Sequence, residues 1–525
     1  MLRKEDAADE DVLSRLGANS VFKRELNTFT NFCVVFSVMC VPGTITSTLS
    51  SAWNNGGPAA CTNGWLVSTL ASWALGLAMA EITSALPTCG GPYYWASVLG
   101  KQRGPLFGWF TGWFSFIGEA ALAGGSAASI VALVFSLMQV NYNYDVTPAQ
   151  QLAIYTGSLI LSGLIVSLPA RALAYISAWG CFWIFCGIVI VCLTLPAVAP
   201  WRQSATFIFA HFNTYQTSPT GIRNNVYLFL ENVMVAQYCV IGYDACAHMS
   251  EETTGAQKSV PRAIIMAVVA SAVLGYVFLI SLLLSIQDPA SLTDGNANGF
   301  VAAQIFYDAF HARFGDGRFG TIMMCALPGS AVFIALIAIT LSGSRMTYSF
   351  AKSGGIPFGR FFSVVNKTTH TPLRTVWLLT FMAFLFGLPL LKSQAAFGAV
   401  TAMANIALLV SYAIPIACRH TFCRNTFAHG PFTLGRYSEV VGWSGVACVA
   451  IQTCAFVLPT QYPVNVDTLD YGPFILFGVF LGCLIAWHLP NVGAKHWYKG
   501  PNVPSQILSA MNRAEKRVTS PSKTL

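Results

Sequence analysis

The residues best suited to binding a charged solute lie at two interruptions of apolar segments. Val41-Pro42-Gly43-Thr44 interrupts one segment, and Ile241-Gly242-Tyr243-Asp244 interrupts another. A broken membrane helix frees main-chain N–H and C=O groups, which must find a partner or face a cavity that supplies one. Paired breaks at corresponding places in a many-helix chain indicate a solute site between them.

Each break would create half-helix ends that point into the protein. Half-helix N-termini suit a carboxylate, whereas unwound carbonyls suit an ammonium or a coupling cation. We expect amides of Gly43, Thr44 and Ile45 on one side, and carbonyls of Cys40 and Ile241 facing a cation. A kink made for packing alone is the alternative, which the second, matching break disfavours. The substrate-binding residues predicted at the breaks are Cys40, Val41, Pro42, Gly43, Thr44, Ile45, Ile241, Gly242, Tyr243 and Asp244.

Carboxylates inside apolar segments are the second signal. Asp244 lies within the second break and Glu119 near the middle of the third segment. A charge at mid-bilayer costs about 2.5–3.5 kcal/mol, so such a residue is a functional hypothesis by default. We expect both to bind the solute or relay protons; a helix cap and a neutral, hydrogen-bonded acid are the alternatives. Glu231, about 16 Å outward of Gly242 at 1.5 Å per residue, is a gating candidate for which a structural role is favoured.

Composition places these residues in an integral membrane protein. The 525 residues are 54% hydrophobic and 10% charged, with a mean hydropathy of +0.58, whereas soluble proteins carry about 25% charged residues. The net charge of +8 is spread over short loops, so no nucleic-acid partner is expected. The 15 cysteines show no metal-ligand spacing, and no nucleophile–base constellation is evident. We therefore predict no enzyme, no metal and no cofactor.

About 20 apolar residues cross ~30 Å of hydrocarbon. Twelve stretches qualify, and the all-α protein is predicted to have twelve transmembrane helices. They are residues 29–53, 65–86, 106–140, 152–168, 176–198, 226–248, 263–286, 321–344, 375–391, 395–416, 441–457 and 471–487. A shorter amphipathic helix at 300–310 is expected on the outer face.

Lysine and arginine positions predict that both termini are cytosolic, because cytosolic loops carry the excess of these residues. With that orientation, all but five of the 29 basic residues are cytosolic; the exceptions are Arg202, Arg223, Arg313, Arg318 and Lys392. Equivalent breaks in spans one and six predict two inverted five-helix repeats followed by two helices. The expected organisation is a tail at 1–28, a transporter domain at 29–488 (repeats 29–198 and 226–416, last helices 441–487) and a tail at 489–525.

Several motifs resemble the amino acid–polyamine–organocation (APC) transporters, and among them the fungal-type amino acid/choline (GABA/choline) permeases. The resemblance runs from about Leu26 to His488. It is carried by Phe36-Ser37-Val38-Met39-Cys40, Gly56-Gly57-Pro58 with Gly64-Trp65, the run from Ala80-Glu81 to Pro92-Tyr93-Tyr94-Trp95, Gly242-Tyr243-Asp244-Ala245 with His248-Met249-Ser250-Glu251-Glu252-Thr253, and Ser344-Arg345 with Phe350-Ala351-Lys352-Ser353-Gly354-Gly355.

The resemblance implies the LeuT-type fold, with five helices, five inverted helices and two more. It also implies secondary active uptake of a small amine-bearing solute such as an amino acid, γ-aminobutyrate or choline. Two departures stand out: the first break is not glycine-rich, and Glu119 stands where a neutral residue is more usual. The fifth span, 176–198, contains no lysine, so a lysine-based proton mechanism cannot be transferred.

We expect proton coupling through Asp244 and Glu119, with alternating access. Glu251 and Arg345 are the expected partners of a cytosolic gate, beside Ser250 and Glu252. A choline/polyamine-type cation permease and a transporter-like nutrient sensor are the alternatives. A phosphate-binding loop that would mark a pump is missing from the sequence. The expected partners are the solute, a proton and the lipid bilayer; the expected location is the plasma membrane, with the vacuolar membrane as the alternative.

Overall fold

The chain is folded almost entirely into helices in a computed structural model. The structure describes residues 10, 13, 14, 16, 22, 24–213, 220–292, 300–388, 394–465 and 469–501. Within those ranges the sole strand-like pairing is one isolated bridge between Leu26 and Thr253. The predicted terminal tails lie in large part outside the described residues, as does Lys392.

The α-helices of the described ranges are numbered α1 to α19 in chain order. They are α1 Thr28–Met39, α2 Val41–Asn54, α3 Gly57–Ala85, α4 Pro92–Leu99, α5 Gly104–Tyr142, α6 Pro148–Val166, α7 Ala170–Val198, α8 Ala205–Ala210, α9 Asn225–Tyr238, α10 Ala245–His248, α11 Ala256–Leu284, α12 Val301–Phe314, α13 Arg318–Lys352, α14 Gly359–Phe362, α15 Leu373–Gly387, α16 Gln394–Thr421, α17 Ser438–Phe456, α18 Gly472–His488 and α19 Ala494–Trp497. Short 3₁₀ turns occur at Lys101–Arg103, Ser250–Glu252 and Gly435–Tyr437.

Nine stretches of the described chain are long and apolar enough to cross a membrane, counting Thr28–Asn54 as one. Two shorter apolar helices, α15 and α18, accompany them. The prediction of an all-α membrane protein is therefore confirmed. The amphipathic helix expected at 300–310 is observed as α12.

Burial separates a central layer from a peripheral one. In the most apolar window of Thr28–Asn54, 89% of residues are buried, against 33% in that of α7. Helix α7 turns Tyr175, Trp179 and Leu193 outward, as expected where lipid is the solvent. Helix α5 packs against α13, α15 and α16, and α3 packs against α9, α11 and α17. The two interrupted segments therefore lie inside a shell of longer helices.

The first interruption falls at Cys40, one residue before the predicted stretch. Helix α1 ends at Met39 and α2 begins at Val41, because Cys40 adopts a left-handed conformation with φ 39° and ψ 51°. The reason is Pro42: a proline is tolerated in the first turn of a helix but clashes with the turn before it. Val41 to Thr44 thus form the start of α2 and are not themselves unwound.

The second interruption is wider and coincides with the predicted stretch. Residues 239–244 are non-helical between the end of α9 and the start of α10. Gly242 has φ +92°, and a Cβ atom there would lie 2.4 Å from Cγ1 of Val38 in α1. Only glycine tolerates this combination of backbone and contact. Because Val38 precedes Cys40 by two residues, the two interruptions lie side by side.

The segment before α1 is tied to the segment after α10. The N–H groups of Glu25 and Leu26 both donate to the carbonyl of Glu252, at 3.0 and 2.9 Å, and Thr254 N–H donates to the carbonyl of Leu26 at 2.9 Å. Asn31 adds a side-chain bond to Thr253 at 2.8 Å. We call these contacts the α1–α10 tie.

Candidate functional site

Asp244 lies at the end of the second interruption and is completely buried. Its two carboxylate oxygens have separate partners. The hydroxyl of Tyr412, from α16, donates to Oδ1 at 2.5 Å, and Nε2 of His248 lies 3.1 Å from Oδ2. The side chain does not cap α10, contrary to the capping alternative. Asp244 therefore links the interruption to α16 and to the far end of the single turn α10.

His248 is also completely buried and has a second partner. Its Nδ1 atom lies 3.0 Å from the carbonyl oxygen of Cys89, in the segment between α3 and α4. The ring packs directly on Gly91, where a Cβ atom would lie 2.7 Å from Cε1 of the histidine. Gly91 has φ +53°, so the backbone conformation and the ring contact both require glycine.

Glu119, on α5, extends toward Asp244. It is 1% exposed, and its Oε2 atom has no hydrogen-bond partner among the described residues. Gly343 of α13 makes room for it, because a Cβ at that glycine would lie 3.2 Å from both Cβ and Oε2 of Glu119. The structure thus brings together Glu119 and Asp244, which are 125 positions apart in sequence order, in one buried acidic centre.

One atom each of Glu119, Asp244 and His248 lies within 4.8 Å of the other two, so this trio is the group of described side chains that could hold a metal ion. Two carboxylates and an imidazole suit a divalent transition metal. Two of the positions are already engaged, since Oδ2 of Asp244 and Nε2 of His248 contact each other. The same three groups are also chemically suited to a solute ammonium, which carboxyl oxygens bind.

The main-chain groups at the first interruption differ from expectation. The N–H groups of Gly43 and Thr44 both donate to the carbonyl of Cys40 at 3.0 Å, and the Thr44 hydroxyl contacts the same oxygen at 3.2 Å. The carbonyl oxygen of Cys40 therefore already accepts hydrogen bonds from the first turn of α2, and it is not free to bind a cation. The amides of Gly43 and Thr44, which we expected to hold a carboxylate, are therefore engaged within α2 in this conformation, and Ile45 lies one turn into the helix. Pro42 supplies no N–H.

The second interruption keeps its polar groups available. Within the described part of the chain, no group donates to the carbonyl of Ile241, and the buried hydroxyl of Tyr243 has no partner. The ring of Tyr243 lies 5.1 Å from that of Tyr412, centroid to centroid. Uncommitted oxygen atoms and aromatic faces beside two carboxyl groups favour a positively charged guest.

The cytosolic ion pair predicted for Glu251 and Arg345 has a different carboxylate. Nε of Arg345 lies 3.0 Å from Oε1 of Glu252, with the two side chains 1% and 3% exposed. Arg345 also donates to the Ser344 hydroxyl at 3.2 Å. These neighbouring glutamates lie on a 3₁₀ turn and have different partners, and Glu252 is the one that pairs with Arg345 of α13.

Glu251 faces the segment between α3 and α4 instead. It accepts a hydrogen bond from the N–H of Cys89 at 3.3 Å. Burial raises the pKa of its carboxyl above the ordinary value, while the contact with Cys89 and the charge of Lys352 oppose that rise. Glu251 and His248 therefore contact the same residue, Cys89, one through its N–H and the other through its carbonyl oxygen.

Glu231 lies apart from the acidic centre. It is 4% exposed in α9, and its Oε1 atom has no partner among the described residues. Glu81 of α3 pairs with Arg419 at 3.2 Å and accepts hydrogen bonds from Thr433 and Ser438. It thereby fastens the loop before α17 to α3 and α16.

Sequence reasoning missed the roles of His248 and Tyr412. A signal existed for His248, because residues four apart share a helix face. None existed for Tyr412, which contacts Asp244 across 168 positions of sequence.

Interrupted central helices, a lipid-facing shell and a buried acidic centre define a multi-pass membrane protein built to hold a small solute. The model of the amino acid permease family matches residues 26–486. The chain belongs to this family, which confirms its resemblance to the APC permeases. It is 36% identical to the amino-acid permease BAT1 homolog of Oryza sativa subsp. japonica, over 93% of this chain and 94% of the relative.

Two further relatives show the breadth of the similarity. The amino-acid permease BAT1 of Arabidopsis thaliana is 35% identical over 95% of this chain and 96% of its own length. The GABA-specific permease of Saccharomyces cerevisiae is 26% identical over 94% of this chain and 86% of its own length. The relatives are permeases and not enzymes by name, in agreement with the prediction.

Proposed function

We propose that the protein is a proton-coupled secondary active transporter that imports a small amine-bearing solute by alternating access. The observation that carries this proposal is the buried acidic centre of Glu119 and Asp244 beside two adjacent helix interruptions. A buried, unpaired carboxylate is costly unless it is protonated or meets a cation. A solute ammonium and a transported proton are the two cations that such a centre would bind in turn.

The proposed binding mode places the ammonium of the solute between Asp244 and Glu119. Tyr243 and the carbonyl of Ile241 complete its surroundings, since both are uncommitted. A solute carboxylate would meet the N-terminus of α2, where the N–H of Val41 precedes Pro42. Membership of the amino acid permease family supports an amino acid, and the yeast relative supports γ-aminobutyrate as one candidate.

A second candidate is a choline/polyamine-type organic cation. The engaged amides of Gly43 and Thr44 favour it, because they leave little at the first interruption to hold a carboxylate. The number and type of charges on the solute therefore separate the two candidates. A sensor that binds solute without moving it is a third outcome.

The proposed topology has twelve spans, two inverted five-helix repeats and two final helices, with both termini cytosolic and the plasma membrane as the location. In that orientation the Arg345–Glu252 pair and the α1–α10 tie lie at the cytosolic end of the site. Their burial supports a conformation in which the inner side is closed. Opening of these contacts would release the solute inward.

The test is uptake by the purified protein in proteoliposomes at two pH values. One radiolabelled amino acid is challenged with γ-aminobutyrate, choline, basic amino acids and polyamines. We expect competition by amine-bearing solutes, faster uptake with an acidic exterior, and loss of both in Asp244→Asn. Glu439→Gln is the matched control, because Glu439 is far from the acidic centre in the sequence and belongs to an exposed ion pair.

Three results would contradict the proposal. Binding without uptake would identify a sensor. Competition by choline but not by amino acids would favour the organic-cation reading. Unchanged pH-dependent uptake in both Asp244→Asn and Glu119→Gln would show that neither carboxyl carries the coupling.

A further inference from the structure

The side chains of Glu119, Asp244 and His248 each turn one donor atom toward a common point. Nδ1 of His248 is 3.0 Å from the carbonyl oxygen of Cys89, which can only accept, so in the neutral ring Nε2 carries the lone pair. For Asp244, the hydroxyl of Tyr412 donates to Oδ1 at 2.5 Å, and Oδ2 lies 3.1 Å from Nε2. Oε2 of Glu119 is buried and has no partner among the described residues.

The outer contacts of these side chains are those found around metal ligands. A histidine that binds a metal usually donates its other ring N–H to a carbonyl or carboxylate oxygen, and carboxylates that bind a metal are themselves hydrogen-bonded. Here the carbonyl of Cys89 orients the ring of His248, and the hydroxyl of Tyr412 orients the carboxylate of Asp244. Two of the three ligands are therefore held in place by contacts outside the site.

The distances between the donor atoms suit one metal ion. An ion bound at about 2.0–2.2 Å to two atoms separated by 3.1 Å would subtend an angle of roughly 97°, which lies between the octahedral and tetrahedral values. An oxygen of Glu119 lies within 4.8 Å of the ligand atoms of the other two residues. With the same bond lengths, a movement of this oxygen by roughly 1 Å brings it into the coordination shell.

The charge of the site favours a divalent ion. Glu119 and Asp244 bring two carboxyl groups into a buried place, and in the described part of the chain no lysine or arginine pairs with either of them. Arg345 pairs with Glu252 instead. Since buried charges are normally paired or coordinate a metal, one ion with two positive charges would balance the two carboxylates.

We infer that Glu119, Asp244 and His248 form a binding site for one divalent transition-metal ion such as Zn²⁺ or Co²⁺. The imidazole nitrogen selects against Mg²⁺ and Ca²⁺, which take oxygen ligands in larger numbers. The sequence-based prediction of no metal rests on the spacing of the cysteines, and no cysteine belongs to this site.

The metal site shares its two carboxyl groups with the proposed solute site. An ion bound between Glu119 and Asp244 would leave no carboxylate for the ammonium of the solute. Metal and solute would therefore exclude each other, and the ion would inhibit uptake competitively. This consequence rests on the proposed function, whereas the metal site itself does not.

The first test measures metal binding without transport. The full-length protein, freed of any histidine tag, is titrated in detergent with Co²⁺, whose visible absorption reports its ligands. We expect one Co²⁺ per chain, displaced by Zn²⁺ but not by Mg²⁺ or Ca²⁺, and no charge-transfer band from a cysteine thiolate. Absence of saturable binding, or binding accompanied by a thiolate band, would overturn the inference.

Variants of the wild-type protein assign the ion to these residues. His248→Gln and Glu119→Gln should each lose the binding of Co²⁺. Glu231→Gln is the matched control, because Glu231 is also a buried carboxyl without a partner for Oε1 among the described residues, and it should bind as wild type does. Tyr412→Phe keeps all three ligands and loses one outer contact, so its affinity should fall about 10–100-fold. Wild-type affinity in His248→Gln or in Tyr412→Phe would overturn the inference.

A second measurement tests the competition in proteoliposomes. Uptake of labelled solute by wild type is recorded at several solute concentrations, with and without Zn²⁺. We expect Zn²⁺ to raise KM while the maximal rate stays unchanged, and Mg²⁺ to have no effect. Inhibition that excess solute does not relieve would refute the shared site. Protein that binds Co²⁺ but moves no solute would contradict the proposed function and support the metal site, so the two failures are distinct.

Discussion

Replacement of Arg345 by methionine should strongly destabilise the protein, although methionine fits an apolar interior better than arginine does. The cause is the partner left behind. Glu252 lies 3.0 Å from Arg345, and the two side chains are 1% and 3% exposed. Without the guanidinium, the carboxylate of Glu252 would stay buried with no counter-charge.

The magnitude follows from the burial of both partners. Removing one member of a buried ion pair costs about 3–5 kcal/mol, whereas replacing both by apolar residues is often neutral. We therefore expect a cost of about 3–5 kcal/mol for Arg345→Met and a similar cost for Glu252→Met. At about 1.4 kcal/mol per factor of ten, each single change lowers the ratio of folded to unfolded protein by at least about two orders of magnitude. The double variant should recover most of the loss.

The assay is the free energy of unfolding in mixed micelles with increasing SDS, for the two single variants and the double variant. Arg424→Met is the matched control, because Arg424 and Glu439 form a pair at 2.9 Å whose side chains are 62% and 45% exposed. An exposed pair contributes about 0–1 kcal/mol. The control should therefore lie close to wild type.

Two outcomes would refute this reasoning. One is a cost for Arg345→Met no larger than that of the exposed control. The other is a double variant as unstable as the sum of the single variants, since additivity would show that the two side chains are not coupled.

Three further substitutions test other parts of the structure. Gly242→Ala should lose about 1–3 kcal/mol from backbone strain alone, measured as unfolding free energy; wild-type stability would show that φ +92° is not needed. Glu81→Gln should lower the unfolding free energy by about 3–5 kcal/mol, because Arg419 is left buried without its counter-charge. Glu439→Gln is the control, and an equal loss of stability in the two variants would contradict the prediction. Tyr412→Phe should remove about 1.5–3 kcal/mol from the support of Asp244, seen as a raised KM for the amine solute with folding unchanged; an unaltered KM would contradict the contact.

The sequence predicts the helices well because hydrophobic length alone specifies a membrane helix. The predicted stretch 106–140 is observed as α5, Gly104–Tyr142. The first interruption is displaced by one residue for a reason that composition does not reveal. Pro42 is compatible with a new helix but not with the preceding turn, so the unusual conformation falls on Cys40, a residue type with no preference for it.

The site required information that only the fold contains. Glu251 and Glu252 are identical neighbours in the sequence, and the orientation of one 3₁₀ turn decides which of them meets Arg345. Tyr412 reaches Asp244 because α16 packs beside the second interruption, which no local pattern encodes. The spacing of Asp244 and His248 was visible, but its meaning depended on the carbonyl of Cys89 on the other side of the ring.

The α1–α10 tie has a mechanical consequence. Three main-chain hydrogen bonds and the Asn31 side chain join the entrance of α1 to the exit of α10, so these two pieces of the interrupted segments are connected directly. Neither can swing outward while the other remains in place unless those bonds are broken. In the transport cycle proposed above, release of the solute would therefore displace α1 and α10 together, with the interruptions at Cys40 and Gly242 as the points of bending.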